Sequence, residues 1–245
     1  MTYSLQLYTV RGPLESDLPG TIERVAAIGY TAVEPYNFVA TAGQLADALR
    51  ANGLTAPSGH APLLRADQEE IFAAAKRLGI GTVIDPHVDR SRWSTAGEIR
   101  ETAAALNAAA RKGAEYGIRV GYHNHEFELE SRIDGRSGLE VLAEHLDPDV
   151  VLEVDTYWAA VGGEDPAALL QRLGDRVRLI HIKDGPLTKE DKDQVAVGSG
   201  NMPIWDVIEA APSLEVGVVE LDDFTGDIFD AVADSLNYLT AGTAK

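Results

Sequence analysis

Seven short apolar runs in this chain each end on a polar, mostly titratable residue: Glu34, His60, His87, His123, Asp155, His181 and Glu220. Buried strands that each carry a ligand-type or acid/base side chain at the carboxyl end are what a (β/α)8 barrel requires, because the loops after all its strands open on one face. One site assembled from many strands is the first expectation.

The β-rich runs lie at about Tyr3–Tyr8, Ala32–Glu34, Thr55–Ser58, Gly81–Asp85, Arg119–His123, Val150–Asp155, Arg178–Ile182 and Val216–Leu221. Most are nearly continuous apolar segments, as expected of strands covered on both faces of a parallel sheet. Helical spacing fills the intervals. Leu18–Ile28 places Ile22, Val25 and Ile28 at steps of three before Gly29, a helix stop. Similar phrases occur at Gly43–Ala51, Asp67–Leu78, Thr95–Tyr116, Gly138–His145, Asp165–Leu173, Pro203–Ala211 and Asp227–Leu239. Eight alternations predict a single-domain α/β protein, a (β/α)8 TIM barrel over residues 1–245, although an open doubly wound sheet shares the local code. The hydrophilic stretch Thr188–Gln194 reads as a surface loop.

Lys and Arg total 21 against 39 Asp and Glu, a formal charge of −18. Such a surface repels phosphate backbones, which argues against nucleic acid as a partner. With no cysteine in the chain, a metal must be held by His and carboxylate. No basic segment leads an apolar stretch at the amino terminus and no run approaches a membrane span. A cytoplasmic protein is expected, and a homo-oligomer is compatible with the sequence.

Within the site, strand parity is the guide. In Gly121-Tyr-His-Asn-His-Glu-Phe-Glu128, His123 and His125 face inward with Gly121, while Tyr122 and Asn124 face outward. In Val151-Leu-Glu-Val-Asp155, Glu153 and Asp155 share the inward face, and two such carboxylates demand a cation between them. His181 and Lys183 are paired likewise, a metal ligand beside a cation able to hold a substrate oxygen. Glu220 follows a fully apolar run, where an unpartnered carboxylate is costly. Across the barrel, Gln6 and Tyr8 share a face and, with Glu34 and His60, would line a polyol pocket. His87 is left open between roles, and His145 is read as structural. No GxGxxG, GxxxxGK[ST] or GxSxG occurs. Val197-Gly-Ser-Gly200 has the look of a phosphate loop but follows a polar segment; it is either a flexible turn or a substrate loop.

Taken together, Gly121–Glu128, Leu152-Glu-Val-Asp-Thr-Tyr-Trp158, His181-Ile-Lys-Asp184, Val197–Gly200 and Val219-Glu220 resemble the sugar phosphate isomerase/epimerase superfamily. These are xylose isomerase-like TIM barrels, more distantly similar to endonuclease IV. The resemblance implies a divalent cation (Mn, Mg, Co or Zn) held from the ends of strands five to eight. It maps Asp155, His181 and Glu220 onto three ligands. At the fourth, this chain has His123 where a Glu is usual, and Trp158 where many members have a His. These departures resemble a Tyr-His-Asn-His subgroup; strand parity favours His123 itself as the fourth ligand, while the resemblance favours Glu128 as the replacement ligand. On that reading His123, His125, Lys183 and Glu153 are catalytic, while Gln6, Glu34, His60 and Trp158 touch substrate. The implied activity is isomerisation, epimerisation or dehydration of a small keto-sugar or keto-inositol through α-proton abstraction. The alternatives are a sugar-binding barrel with altered catalysis and an endonuclease IV-like nuclease.

Overall fold

Gln6 decides where the first strand ends. Its side-chain oxygen accepts the Tyr8 N–H at 3.2 Å and starts a tight turn over Leu7–Val10, so Tyr8 leaves the sheet and its ring stands 38% exposed. The expected shared face of Gln6 and Tyr8 is therefore not formed. The computed structural model describes residues 1–242. Its barrel strands are β1 (Thr2–Gln6), β2 (Ala32–Glu34), β3 (Ser58–His60), β4 (Thr82–Asp85), β5 (Arg119–His123), β6 (Val151–Asp155), β7 (Val177–Ile182) and β8 (Val216–Val219). All pair in parallel in the spatial order β2-β1-β8-β7-β6-β5-β4-β3. The two ends meet through bridges at Ala32–Thr55 and Tyr36–His60, which nearly close a single-domain TIM barrel. Strand β3 starts later than its expected Thr55–Ser58, because Thr55 only bridges to Ala32 and the ladder to β4 runs Ser58 to His60. Strand β8 ends before its expected Leu221, which places Glu220 just beyond the sheet.

The outer ring is α1 (Leu18–Ile28), α2 (Ala42–Ala51), α3 (Gln68–Leu78), α4 (Ala96–Glu115), α5 (Gly138–His145), α6 (Pro166–Leu173), α7 (Ile204–Glu209) and α8 (Ile228–Gly242). Several start on side-chain caps: Asp67 accepts from Glu69 N at 2.8 Å, Asp165 from Ala168 N at 3.0 Å, and Ser137 forms a reciprocal box with Glu140. Gly29 ends α1 in the left-handed region at φ 117°, where a side chain would be strained. Among the described residues no helix is long and apolar enough to cross a membrane.

Outward strand residues such as Val33, Val83, Val120, Leu152 and Ile180 pack against helix residues such as Ile22, Phe72 and Leu106 to form the main core. Inside the barrel, Ile84, Val151, Leu179, Val216 and Val218 make a small dry plug. Gly121 completes it, since a Cβ there would lie 2.5 Å from Ile84 Cδ1. Above this plug the inward positions become polar. That change of layer, within single strands, creates the site.

The two loops flagged in the sequence divide. Thr188–Asp193 is exposed as expected, but Gln194 is buried beneath it. The Val197–Gly200 turn wraps a carboxylate of its own chain: Asp184 accepts the N–H groups of Gly198 (2.9 Å), Gly200 (3.0 Å) and Met202 (3.0 Å). Its backbone donors are thus already satisfied, and the phosphate-loop reading falls.

Candidate active site

At the carboxyl end of the strands a cavity of about 430 Å3 opens, with His60, His123, His125, Trp158 and Glu220 on its wall. Beneath it lies a network of buried imidazoles and carboxylates. His181, at the end of β7, has Nδ1 2.7 Å from Glu220 Oε2 and Nε2 2.9 Å from Glu34 Oε1 and 3.1 Å from Glu153 Oε2. His60 stacks parallel to His181, with ring centroids 5.2 Å apart, and its Nε2 lies 2.5 Å from Glu153 Oε2. His123 has Nδ1 3.2 Å from Glu153 Oε2 and Nε2 3.8 Å from Asp155 Oδ2. The β5–β6 ladder, which pairs His123 with Glu153, brings these groups together.

Asp155 is fixed from two sides. Its Oδ1 accepts the Trp158 N–H at 2.9 Å, and Asn124 pairs with its backbone through Oδ1 (3.0 Å) and Nδ2 (3.3 Å). Its other oxygen, Oδ2, makes no hydrogen bond, as is also true of Glu153 Oε1 and His123 Nδ1. Buried polar atoms of this kind are rare and call for a partner such as an ion or a substrate group. Ligand atoms of His123, Asp155, His181 and Glu220 all lie within 4.8 Å of one another, as do those of His60, His123, Glu153 and His181. Either set of imidazole and carboxylate donors suits a divalent cation. Asp155 Oδ2, which makes no hydrogen bond and has the Lys183 ammonium nearby at 3.1 Å, gives the first set an available lone pair.

The electrostatics follow from burial and crowding. Burial opposes charge on Glu153 and Glu220, but His181, with His60 beside the first and Lys183 beside the second, holds both well below the usual carboxylate range. Asp155 is pushed up to about 6, chiefly by burial. Burial also opposes charge on His60, yet Glu34 and Glu153 outweigh it and raise its pKa. His123 is lowered to about 3 by burial and by His181. His125 is lowered well below the ordinary value by burial and then His123.

Several expected residues sit elsewhere. Glu128 lies on a short helix, Phe127–Glu130, fully buried and outside the ligand cluster. It accepts the Tyr122 hydroxyl at 2.6 Å and the His125 N–H at 2.9 Å, so it braces the turn that presents His125. Gln6 and Glu34 are joined at 2.9 Å and lie below the cavity wall, as does Lys183. They support the site rather than line it. Trp158 and His60 do line it, and His87 joins them. His145 is exposed on α5. Sequence reasoning missed Asp222, whose Oδ2 accepts Lys183 Nζ (2.6 Å), Gln194 Nε2 (2.7 Å) and Trp158 Nε1 (3.1 Å). Its spacing of two from Glu220 was the available signal.

The sequence matches the xylose isomerase-like TIM barrels over residues 22–239. The chain belongs to that family. Among curated relatives, it is 34% identical to an inosose dehydratase of Geobacillus kaustophilus over 91 residues, 37% of this chain and 29% of that one. The chain spans less than half the length of the curated relatives it matches. Among solved structures, it superposes on a sugar phosphate isomerase/epimerase from Parabacteroides distasonis with a TM-score of 0.85 at 22% identity, covering 98% of this chain and 93% of that one. It superposes on the IolI protein, solved with a binding zinc atom, with a TM-score of 0.78 at 16% identity, covering 98% and 97%. These two likenesses are of fold.

Proposed function

We propose that this xylose isomerase-like barrel is a divalent-metal-dependent enzyme that removes a proton α to the carbonyl of a small keto-polyol. The observation that carries the reading is the convergence of His123, Asp155, His181 and Glu220 around unpartnered ligand atoms at the base of a cavity. His123 takes the place in this set that the family resemblance gave to Glu128. A cation held there would polarise a carbonyl and its neighbouring hydroxyl and so acidify the α-proton.

The protein supplies the proton traffic. His125 is neutral near pH 7, faces the cavity and has an unpartnered Nδ1, which suits it to accept the proton. His60 faces the same cavity and has its charged form favoured by Glu34 and Glu153, which suits it to protonate an oxygen. An acid and a base on one wall serve enolisation and loss of a β-hydroxyl alike. The inosose dehydratase relatives favour dehydration of a keto-inositol. Asp191 and Asp223 on the cavity lining oppose a nucleic-acid backbone.

Incubation of metal-reconstituted protein with a keto-inositol in deuterium oxide tests this. Loss of water with carbon-bound deuterium in product or recovered substrate is expected. Turnover that leaves carbon-bound hydrogen untouched contradicts α-proton abstraction.

A further inference from the structure

Lys183 is a fully buried ammonium that touches two of the proposed metal ligands. Its Nζ lies 2.8 Å from Glu220 Oε2 and 3.1 Å from Asp155 Oδ2. At 3.1 Å the Asp155 oxygen still receives no hydrogen bond, so the ammonium is aimed elsewhere. Its shortest contact is Asp222 Oδ2, at 2.6 Å. That oxygen is held by donors from two further segments, Trp158 Nε1 after β6 and Gln194 Nε2 from the loop after β7. Gln194 also accepts the Asp222 backbone N–H at 2.7 Å, which fixes the residue through both main chain and side chain.

A lysine ammonium and a divalent cation cannot share Asp155 and Glu220 at close range without strong mutual repulsion. Either the ammonium stays on those oxygens and the cation is kept out, or it withdraws to a third carboxylate. We propose that Lys183 is a built-in counter-cation for the metal ligands, and that Asp222, clasped by Trp158 and Gln194, is the positioning residue that draws it off them when a cation binds. This inference rests on the metal-enzyme reading above. It assigns Lys183 to charge exchange with the metal site, and gives the buried Gln194 a role in fixing the place where the ammonium retires.

Cobalt(II) binding to the chelator-stripped protein, followed by its visible absorption, tests the latch without any substrate. Lys183→Met removes the competitor and should tighten Co2+ binding at least about tenfold. Asp222→Asn should weaken it, and at least about tenfold more in wild type than in the Lys183→Met background, because only wild type has an ammonium to release. Crystal structures of wild type with and without Co2+ give a second readout that needs no variant: Lys183 Nζ should leave Asp155 and Glu220 and keep Asp222. Equal weakening by Asp222→Asn in both backgrounds, or an ammonium that keeps its contacts with Asp155 and Glu220 beside bound Co2+, overturns the latch alone. Failure of wild type to take up stoichiometric Co2+ removes the metal-enzyme reading and the latch with it.

Discussion

At the amino-terminal end of the barrel a depression of about 610 Å3 is lined by Arg111, Arg119, Arg176 and Arg178, whereas the cavity at the carboxyl end is smaller, about 430 Å3. In the larger hollow each guanidinium has a partner. Arg119 grips Glu215 at 3.0 and 2.5 Å, Arg111 meets Asp147 at 2.9 Å, and Arg176 donates to the carbonyls of Leu146, Asp147 and Val150. Arg178 lies 3.5 Å from Glu215. Arg111 and Arg119 are exposed and Arg176 and Arg178 half-buried, so water screens these pairs. Around the smaller cavity, Glu34, Glu153, Asp155, Glu220 and Asp222 are buried or nearly so, with one lysine and the imidazoles to balance them. Volume is a poor guide to chemistry here. Unbalanced buried charge is the better one, because only there does a cation or a developing substrate charge gain much.

The comparison breaks most readily at His181. His181→Ala removes a proposed ligand and leaves Glu34, Glu153 and Glu220 facing one another, so metal retention should be lost and the proposed turnover of a keto-inositol should fall on the order of 10^3-fold or more. Elemental analysis and single-turnover assays check this; a variant that keeps both metal and activity would place the site elsewhere. Glu128→Gln sharpens the boundary of the site. Burial raises Glu128 to about 8 from its ordinary 4.5, so the fold favours its neutral form. The stability it contributes is full below about pH 4.5 and is lost as pH rises through about 8, at no more than about 1.4 kcal/mol per pH unit. The amide stays neutral, so Glu128→Gln should gain stability over wild type between pH 5 and pH 9 in urea titrations and keep its metal. Loss of metal would return Glu128 to the ligand set. Smallest of all, Arg119→Ala at the amino-terminal end should cost about 1 kcal/mol or less and leave metal content and turnover unchanged.

The barrel was legible because its strands are continuous apolar runs and its helices stop at glycines such as Gly29 and Gly79. Strand β3 was misplaced because Ser58-Gly-His60 carries almost no apolar signal; its position is set by the ladder to β4 and by close packing, with a Cβ at Gly59 only 2.8 Å from Ile80 Cδ1. Parity along β5, β6 and β7 correctly aimed His123, Glu153, Asp155 and His181 inward, since the pleat leaves no choice. Past the strand ends it did not hold for Tyr8, which is turned out by the Gln6 cap. Glu128, named from the family resemblance and not from parity, is carried by a helical turn into contact with Tyr122. Gln194 was invisible inside a hydrophilic run, because its burial depends on Asp222, a partner 28 residues away.

The central claim is that His123, Asp155, His181 and Glu220 enclose one cation. Anomalous diffraction from crystals of protein purified without chelator, recorded at the absorption edge of whichever metal elemental analysis finds, tests it most directly. The account predicts a single strong peak within bonding distance of Asp155, His181 and Glu220, with His123 completing the set and Glu128 still bonded to Tyr122. A peak bound by Glu128, or no metal at this position after reconstitution, would contradict it.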